Sequence, residues 1–332
     1  MALTFALTVL SFLVAMLATP ILTHFLFKYK LSKKLRAHTW DGQPASAFLK
    51  IHKGKEGTPT MGGVLVWVTV AIVTVLFNLS RSQTWLPLFA LVASGGLGLI
   101  DDLLNVRGTS IARGLSVKLK FIFQFLIAGL GAWWFYEKLE FSVIRLPAAG
   151  VFGWPVTLDI GWLYVPLFIL TVIFLTNAVN ITDGLDGLAG GTLAASFGAI
   201  LGIAIVQGQF GIAAIAGTFE GALLAILWFI IYPARFFMGD TGAFALGATL
   251  AVLAFLTNTV VLLPVIAFIF VIEALSSILQ WASKRLFGRR IFRIAPLHHH
   301  FEALGWPEAK VTMRFWVIAA VMAAIGMALA LI

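Results

Sequence analysis

The sequence predicts an all-α polytopic membrane protein, and three observations carry that expectation. The 332 residues are 61% hydrophobic and only 11% charged, far from the ~25% charged residues of an average soluble chain. The apolar residues gather into ten segments near the roughly 20-residue length that crosses a bilayer. The basic residues alternate between successive loops. Backbone inside lipid must satisfy its own hydrogen bonds, so the segments are read as helices; a barrel would show short alternating strands instead. The chain is read as a single integral membrane domain over 1–332.

The segments run roughly 3–27, 61–79, 85–100, 118–136, 162–180, 187–206, 211–231, 241–257, 260–280 and 313–332. The first is too long for a signal-peptide core and lacks a basic start, so it is expected to be a retained span. Glycine pairs such as Gly95-Gly96 and Gly190-Gly191 suit close helix packing. Between segments four and five, two short alternating stretches flank Pro147 to Gly150, which predicts a small β-hairpin near 140–160. With no cysteine, disulfides and thiolate metal sites are excluded.

The net charge of +9 is unevenly placed. Of the 23 Lys and Arg, only Arg81, Lys138 and Arg145 fall in the loops after even-numbered segments. The positive-inside rule then puts the odd loops in the cytoplasm and both termini outside. The basic excess is read as topology first and as phosphate attraction second, so no nucleic-acid partner is expected.

Four groups of acids lie at segment edges on this basic side: Asp101-Asp102, Asp183 with Asp186, Asp240, and Glu302 beside His298-His299-His300. Ionisable groups near lipid are costly and usually have a task. Placed beside glycines, amides and basic loops, they point to Mg²⁺ and phosphate chemistry at a membrane surface. Asp101 and Asp102 diverge by about 100° on a helix, so they take different roles. Two acids near a helix C-terminus also call for a positive partner, either Mg²⁺ or Lys118 or Lys120. In NAVNITDGLDGLAGG, Asn177, Asn180 and Asp183 follow at i,i+3 steps, and Gly184 and Gly187 predict a break and a new helix start that faces an anion. Asp183 and Asp240 also have the plainer reading of helix caps. Three consecutive histidines rarely converge on one tetrahedral ion, so they suit phosphate better than zinc. The segment around Lys53, Lys55, Thr58 and Gly62-Gly63 is not a Walker A loop but is basic enough to reach a phosphate. Glu273, inside the ninth segment, is read as structural, paired with Gln280 or a loop arginine.

Five stretches occur in order between residues 57 and 316: GTPTMGG, GLIDDLLNV, NAVNITDGLDGLAGG, YPARFFMGDTGAFALGA and RIFRIAPLHHHFEALGWPEAKVTMRFW. Together they resemble the MraY family, the phospho-N-acetylmuramoyl-pentapeptide transferases of the polyprenyl-phosphate N-acetylhexosamine-1-phosphate transferase superfamily. The resemblance implies Mg²⁺-dependent transfer of phospho-MurNAc-pentapeptide from UDP-MurNAc-pentapeptide to undecaprenyl phosphate. Lipid I and UMP would be the products, in peptidoglycan synthesis at the bacterial cytoplasmic (inner) membrane, with the site facing the cytoplasm. It implies catalytic roles for Asp101, Asp102, Asp183, His298, His299 and His300. It implies substrate binding by Asn177, Asn180, Asp186, Lys118, Lys120 and Thr58, and metal binding by Asp240 with Asp183. A homodimer in the lipid bilayer is expected from the same resemblance.

Two positions depart from the family pattern. The lysine usual four residues after the first aspartate is Asn105 here, and the asparagine usual ten residues before the metal aspartate is Ile230. Lys118, Lys120 or Arg107 is left to supply the missing charge. Direct attack by the lipid phosphate and a route through an aspartyl-phosphate both remain open. So do a transferase for another UDP-HexNAc donor and a silent lipid-binding relative. A transporter is disfavoured, because only Glu220 and Glu273 approach the middle of a segment.

Overall fold

In the computed structural model, residues 1–32, 55, 57–79, 84–108, 114–147 and 155–332 are described. Helices α1 (Ala2–Lys28), α2 (Gly63–Phe77), α3 (Trp85–Arg107) and α4 (Val117–Trp133) come first. A single π turn over Trp134–Lys138 extends α4. Strands β1 (Val143–Arg145) and β2 (Thr157–Asp159) follow. Then come α5 (Tyr164–Thr182), α6 (Leu188–Val206), α7 (Phe210–Ile230) and α8 (Gly239–Leu256). The chain ends with α9 (Leu263–Ile266), α10 (Phe268–Phe287), α11 (Leu297–Ala303) and α12 (Glu308–Ala330).

Among the described residues, eight helices are long and apolar enough to cross a membrane. A ninth crossing is available if Val260–Ile266 and Phe268–Phe287, which meet at an 82° bend, form one broken span. The remaining apolar segment of the ten is α2, at 15 residues shorter than the others. The protein is therefore a multi-pass helical membrane protein. Its outer surface agrees: Leu17, Trp162, Leu170, Trp228 and Val317 are all exposed, an apolar surface that belongs in hydrocarbon rather than water.

Helix α8 is the axis of the bundle, and every one of its residues is buried. Its sequence explains why: GDTGAFALGATLAVLAFL carries small residues throughout, so α2, α3 and α5 can close on it. The contact with α3 is main chain against main chain. A Cβ built at Gly98 would lie 2.6 Å from the Asp240 carbonyl carbon and from the Thr241 Cα, so only glycine permits that crossing. Helix α1 follows the same logic more weakly, turning Thr4, Leu7, Ser11, Ala15, Thr19 and Thr23 inward at three- and four-residue steps. Ser11 donates to the Thr218 carbonyl of α7 at 2.7 Å.

The two ends of α8 do different things. At one end Phe255 joins Phe135, Tyr164 and Phe168 in a ring cluster with centroids 4.8–6.1 Å apart, in the offset and edge geometries aromatic quadrupoles favour. Just beyond it Asn258 accepts from the Arg145 amide at 2.9 Å and donates to the Val143 carbonyl at 3.3 Å. Those bonds fix the hairpin, whose antiparallel register pairs Val143 with Asp159 and Arg145 with Thr157. The hairpin expected near 140–160 is thus present; its turn at 148–150 lies outside the described residues. At the other end of α8 stands Asp240. Eighteen helical residues separate the ends by about 27 Å, so hairpin and acids occupy opposite ends of the bundle.

Candidate active site

Asp101 and Asp102 lie on α3, fully buried, inside the helix rather than at its end. Adjacent helical positions point them to different neighbours. Asp101 Oδ2 accepts from Lys120 Nζ at 2.6 Å and from Asn105 Nδ2 at 3.0 Å, while Oδ1 accepts the Leu115 amide at 2.6 Å. Lys120, on the first turns of α4, also reaches Asp240 Oδ2 at 3.4 Å. One ammonium therefore sits between two carboxylates from α3 and α8.

Asp102 turns toward α8, where its Oδ2 accepts the Thr241 amide at 3.0 Å. Thr241 ties three helices: Trp67 Nε1 of α2 donates to its hydroxyl at 3.0 Å, and that hydroxyl donates to the Gly95 carbonyl of α3 at 3.1 Å. Gly239 occupies the left-handed region at φ 78°. Its amide donates to Asp183 Oδ2 at 3.2 Å. A Cβ there would lie 2.5 Å from Asp102 Oδ2 and 2.7 Å from Thr60 Oγ1. The segment before α2 is held here by main-chain bonds: Phe237 N to Pro59 O, Gly62 N to Phe237 O and Gly63 N to Met238 O, each 2.8 Å. GTPTMGG and FFMGD thus meet through their main chains beside the acids.

The loop between α5 and α6 carries the second group. Helix α5 ends at Thr182 with Asp183 as its C-cap residue, and α6 opens after Gly187 at φ 71°, the break the glycines predicted. Asp186 is buried, bonded to Lys55 Nζ at 2.6 Å and to the Ala234 amide at 2.9 Å. Lys55 also pairs with Glu308, whose carboxylate accepts the Asp186 amide at 2.7 Å. Burial works against the Lys55 charge, but Glu308 and then Asp186 outweigh it and hold its pKa above the usual lysine value.

The sequence profile described as glycosyl transferase family 4 matches residues 84–258, and phospho-N-acetylmuramoyl-pentapeptide-transferase signature 1 matches residues 55–65. A phospho-N-acetylmuramoyl-pentapeptide-transferase of Chloroflexus aggregans is 42% identical over 324 residues, covering 93% of this chain and 84% of the relative. Proteins of the same name are 38% identical in Geobacillus thermodenitrificans, over 95% of this chain and 94% of theirs, and 39% identical in Bacillus velezensis, over 96% and 95%. The chain belongs to the phospho-N-acetylmuramoyl-pentapeptide-transferase family.

With the phospho-N-acetylmuramoyl-pentapeptide-transferase family established, the predicted site residues can be placed one by one. Asp101, Asp102, Lys120, Asp183 and Asp240 converge. Of the two lysine candidates, Lys120 meets the acids, whereas Lys118 is exposed on α4. Asn177 is half-buried, its amide donating to Gln124 Oε1 and to the Ile173 carbonyl, each at 2.8 Å. Asn180 is half-buried in the last turn of α5. Thr58 is half-buried and donates its amide to the Lys55 carbonyl at 3.2 Å. Lys53 lies outside the described residues.

The histidines sit on α11, each engaged through Nδ1: His298 with Glu273 Oε2 at 3.0 Å, His299 with Glu302 Oε2 at 2.7 Å, and His300 accepting the Arg293 amide at 3.1 Å. This corrects the expected pairing of Glu273. Gln280 instead accepts from the Ile291 and Phe292 amides, each at 3.0 Å. The two family departures also find places. Asn105 bonds Asp101, and Ile230 is a core residue whose Cδ1 fills the space over Gly190.

Among the described residues no three His, Asp or Glu side chains form a cage for a metal. Mg²⁺ normally takes only one or two protein carboxylates, with phosphate oxygens and water completing its octahedron. Asp183, which accepts the Gly239 amide, and Asp240, the next residue along α8, offer the hard oxygen donors such an ion prefers. Sequence reasoning missed Thr60, Thr241, Gln124 and Glu308. Gln124 lies outside the quoted stretches, and Thr60, Thr241 and Glu308 lie within them, but their contacts depend on the approach of distant segments.

Proposed function

We propose that the protein transfers phospho-MurNAc-pentapeptide from UDP-MurNAc-pentapeptide to undecaprenyl phosphate, forming lipid I and UMP in a Mg²⁺-dependent reaction of peptidoglycan synthesis. The observation that carries this reading is the buried Asp101–Lys120–Asp240 bridge with Asp102 and Asp183 beside it, in a chain whose relatives carry that transferase name. A lipid phosphate oxygen attacks the sugar-bearing β-phosphorus, and the new P–O bond completes the lipid pyrophosphate. The bond to the α-phosphate oxygen breaks, and UMP leaves with its electron pair. The Asp101–Asp102 pair takes the proton from the lipid phosphate. Lys120 offsets charge where two anions meet. Asp240 and Asp183 would hold Mg²⁺, which lowers the same repulsion.

Lys55 and Asp186, beside the Phe237 ring, are placed to hold the nucleotide with Thr58, Asn177 and Asn180. His299 and His300 of α11 hold phosphate oxygens, with His298 buried against Glu273. One apolar groove supports entry of the lipid: about 330 Å³ lined by Phe121, Ile122, Phe125, Leu126 and Ile173, beginning one residue beyond Lys120. The broken pair and α2 both cross the bilayer in this reading, giving ten spans. The acids then face the cytoplasm of a bacterial inner membrane, the hairpin and both termini lie outside, and two copies form a homodimer.

The test is UMP release by purified protein in detergent with both substrates, with and without Mg²⁺, beside Asp240→Ala. Mg²⁺-dependent UMP that disappears in the variant is expected. No UMP from folded protein, with turnover of UDP-GlcNAc instead, would replace this donor with another.

A further inference from the structure

Glu273 is an intramembrane acid on α10 that the transfer chemistry does not use. It is fully buried, as is His298. The two meet twice. Glu273 Oε1 accepts the His298 main-chain amide at 3.1 Å, and Oε2 lies 3.0 Å from His298 Nδ1. A neighbouring serine completes the seat: Ser276 Oγ accepts the Leu297 amide at 3.1 Å and donates to the Glu273 carbonyl at 2.7 Å.

The first bond makes Oε1 an acceptor, since a main-chain N–H can only donate. The second holds the ring with Nε2 pointing away from α10. With Glu273 as a carboxylate, which has no proton to give, the shared proton sits on Nδ1. What Nε2 faces is the turn between α5 and α6. A Cβ built at Gly184 would collide with His298 Nε2, its nearest neighbour there. Gly184 follows Asp183 directly and stands two residues before Asp186. An acid on α10 thus acts, through one imidazole, on the loop that holds Asp183 against Gly239 and Asp186 against Lys55.

We propose that Glu273 is a positioning residue for the transfer reaction: it fixes His298 in the Nδ1–H form and so seats the Asp183–Asp186 turn. Carboxylates behind imidazoles do this in metal sites, where removing the outer partner typically costs about 10–100-fold. The inference rests on the transferase reading above, but one of its readouts does not.

The test compares wild-type protein with Glu273→Gln, both full length in detergent. Glutamine keeps the volume and can still accept the His298 amide, but its NH₂ cannot accept an Nδ1 proton. The first readout is ¹⁵N NMR of histidine-labelled protein, with His298→Asn assigning the resonance. We expect a proton on Nδ1 in the wild type and its loss from Nδ1 in Glu273→Gln. The second is steady-state UMP release, where kcat should fall about 10–100-fold, with a smaller rise in KM for the nucleotide through Asp186. An Nδ1 without a proton in the wild type overturns the proposal, even if Glu273→Gln does not fold. So does an unchanged kcat, or a change confined to KM. Wild-type protein that makes no UMP from these substrates would sink the transferase reading while leaving the NMR result standing.

Discussion

Lys120 Nζ lies 2.6 Å from Asp101 Oδ2, joining the start of α4 to a fully buried acid on α3. The pair explains how the acid-rich end of this bundle stays closed. Asp101 and Asp240 are brought together from α3 and α8, and like charges in a low-dielectric setting repel strongly. A single ammonium reaching both is the compensation the described residues provide.

Removing that ammonium should therefore damage both the fold and the chemistry. Breaking a buried ion pair on one side costs about 3–5 kcal/mol, because the remaining charge is stranded. Lys120→Met should lower the thermal unfolding midpoint in detergent and cut UMP release by at least about 100-fold, the scale seen when a fixed electrostatic donor is lost. Lys118→Met, at an exposed position, should do neither. Equal effects from the two variants would contradict the assignment of the bridge to Lys120.

Gly239 should tolerate no side chain. Its φ of 78° places an L-residue in the left-handed region, a cost of about 1–2 kcal/mol, and the new methyl would press on Asp102 Oδ2 and Thr60 Oγ1. Gly239→Ala is expected to lose activity and stability together. Gly96→Ala is the matching control: the position lies within α3 and a Cβ there meets nothing within 4 Å. Alanine is the better helix former, so unfolding should be unchanged or slightly later. A wild-type rate in Gly239→Ala would mean that the turn before α8 can move without consequence.

These two cases mark what the sequence made legible. The helical membrane class, the hairpin and the rim of acids were readable because hydropathy, loop charge and turn residues are local signals. The break after Thr182 was readable from Gly184 and Gly187. Partner choice was not. Asn105 or Lys120, Lys118 or Lys120, Gln280 or His298 for Glu273: each depends on which helices pack together, and periodicity within one segment is silent on that. Thr241 shows the limit well. Its neighbour Asp240 stood out as an acid in an apolar stretch, but a threonine in a helix carries no mark of bonding α2, α3 and Asp102 at once. The placing of Ile230 on Gly190 is of the same kind.

Lys55 should separate binding from chemistry. It bridges Asp186 and Glu308 at a distance in sequence from the Asp101–Asp240 pair. Lys55→Met is expected to raise KM for the nucleotide several-fold while kcat changes less; the reverse split would move Lys55 into the reacting centre. The pH dependence has a definite sign. A raised lysine pKa means the stabilisation is complete below the ordinary lysine value and is lost as pH rises through the folded value. The gap in unfolding midpoint between wild type and Lys55→Met should thus hold steady from about pH 8 to about pH 10 and shrink above that.

The orientation can be decided with single cysteines, since the chain has none of its own. Thr157 is exposed on the hairpin strand β2, and Arg290 is exposed in the basic segment that leads to the histidine helix. The hairpin is bonded beyond one end of α8, whereas the acids gather at the other. A membrane-impermeant maleimide added to intact cells should therefore label Thr157→Cys at once and Arg290→Cys only after the membrane is opened. Labelling in the reverse order would invert the protein and place the acids on the side where a cytoplasmic nucleotide cannot reach them. Labelling of both in intact cells would mean that the hairpin and the basic segment share one side, and the bent pair α9–α10 would then be re-entrant rather than a span. The broken helix is thus tested by the same experiment. With α5, α6, α7 and α8 all crossing, Thr157 and Arg290 lie on opposite sides when the bent pair also traverses the bilayer, making five crossings.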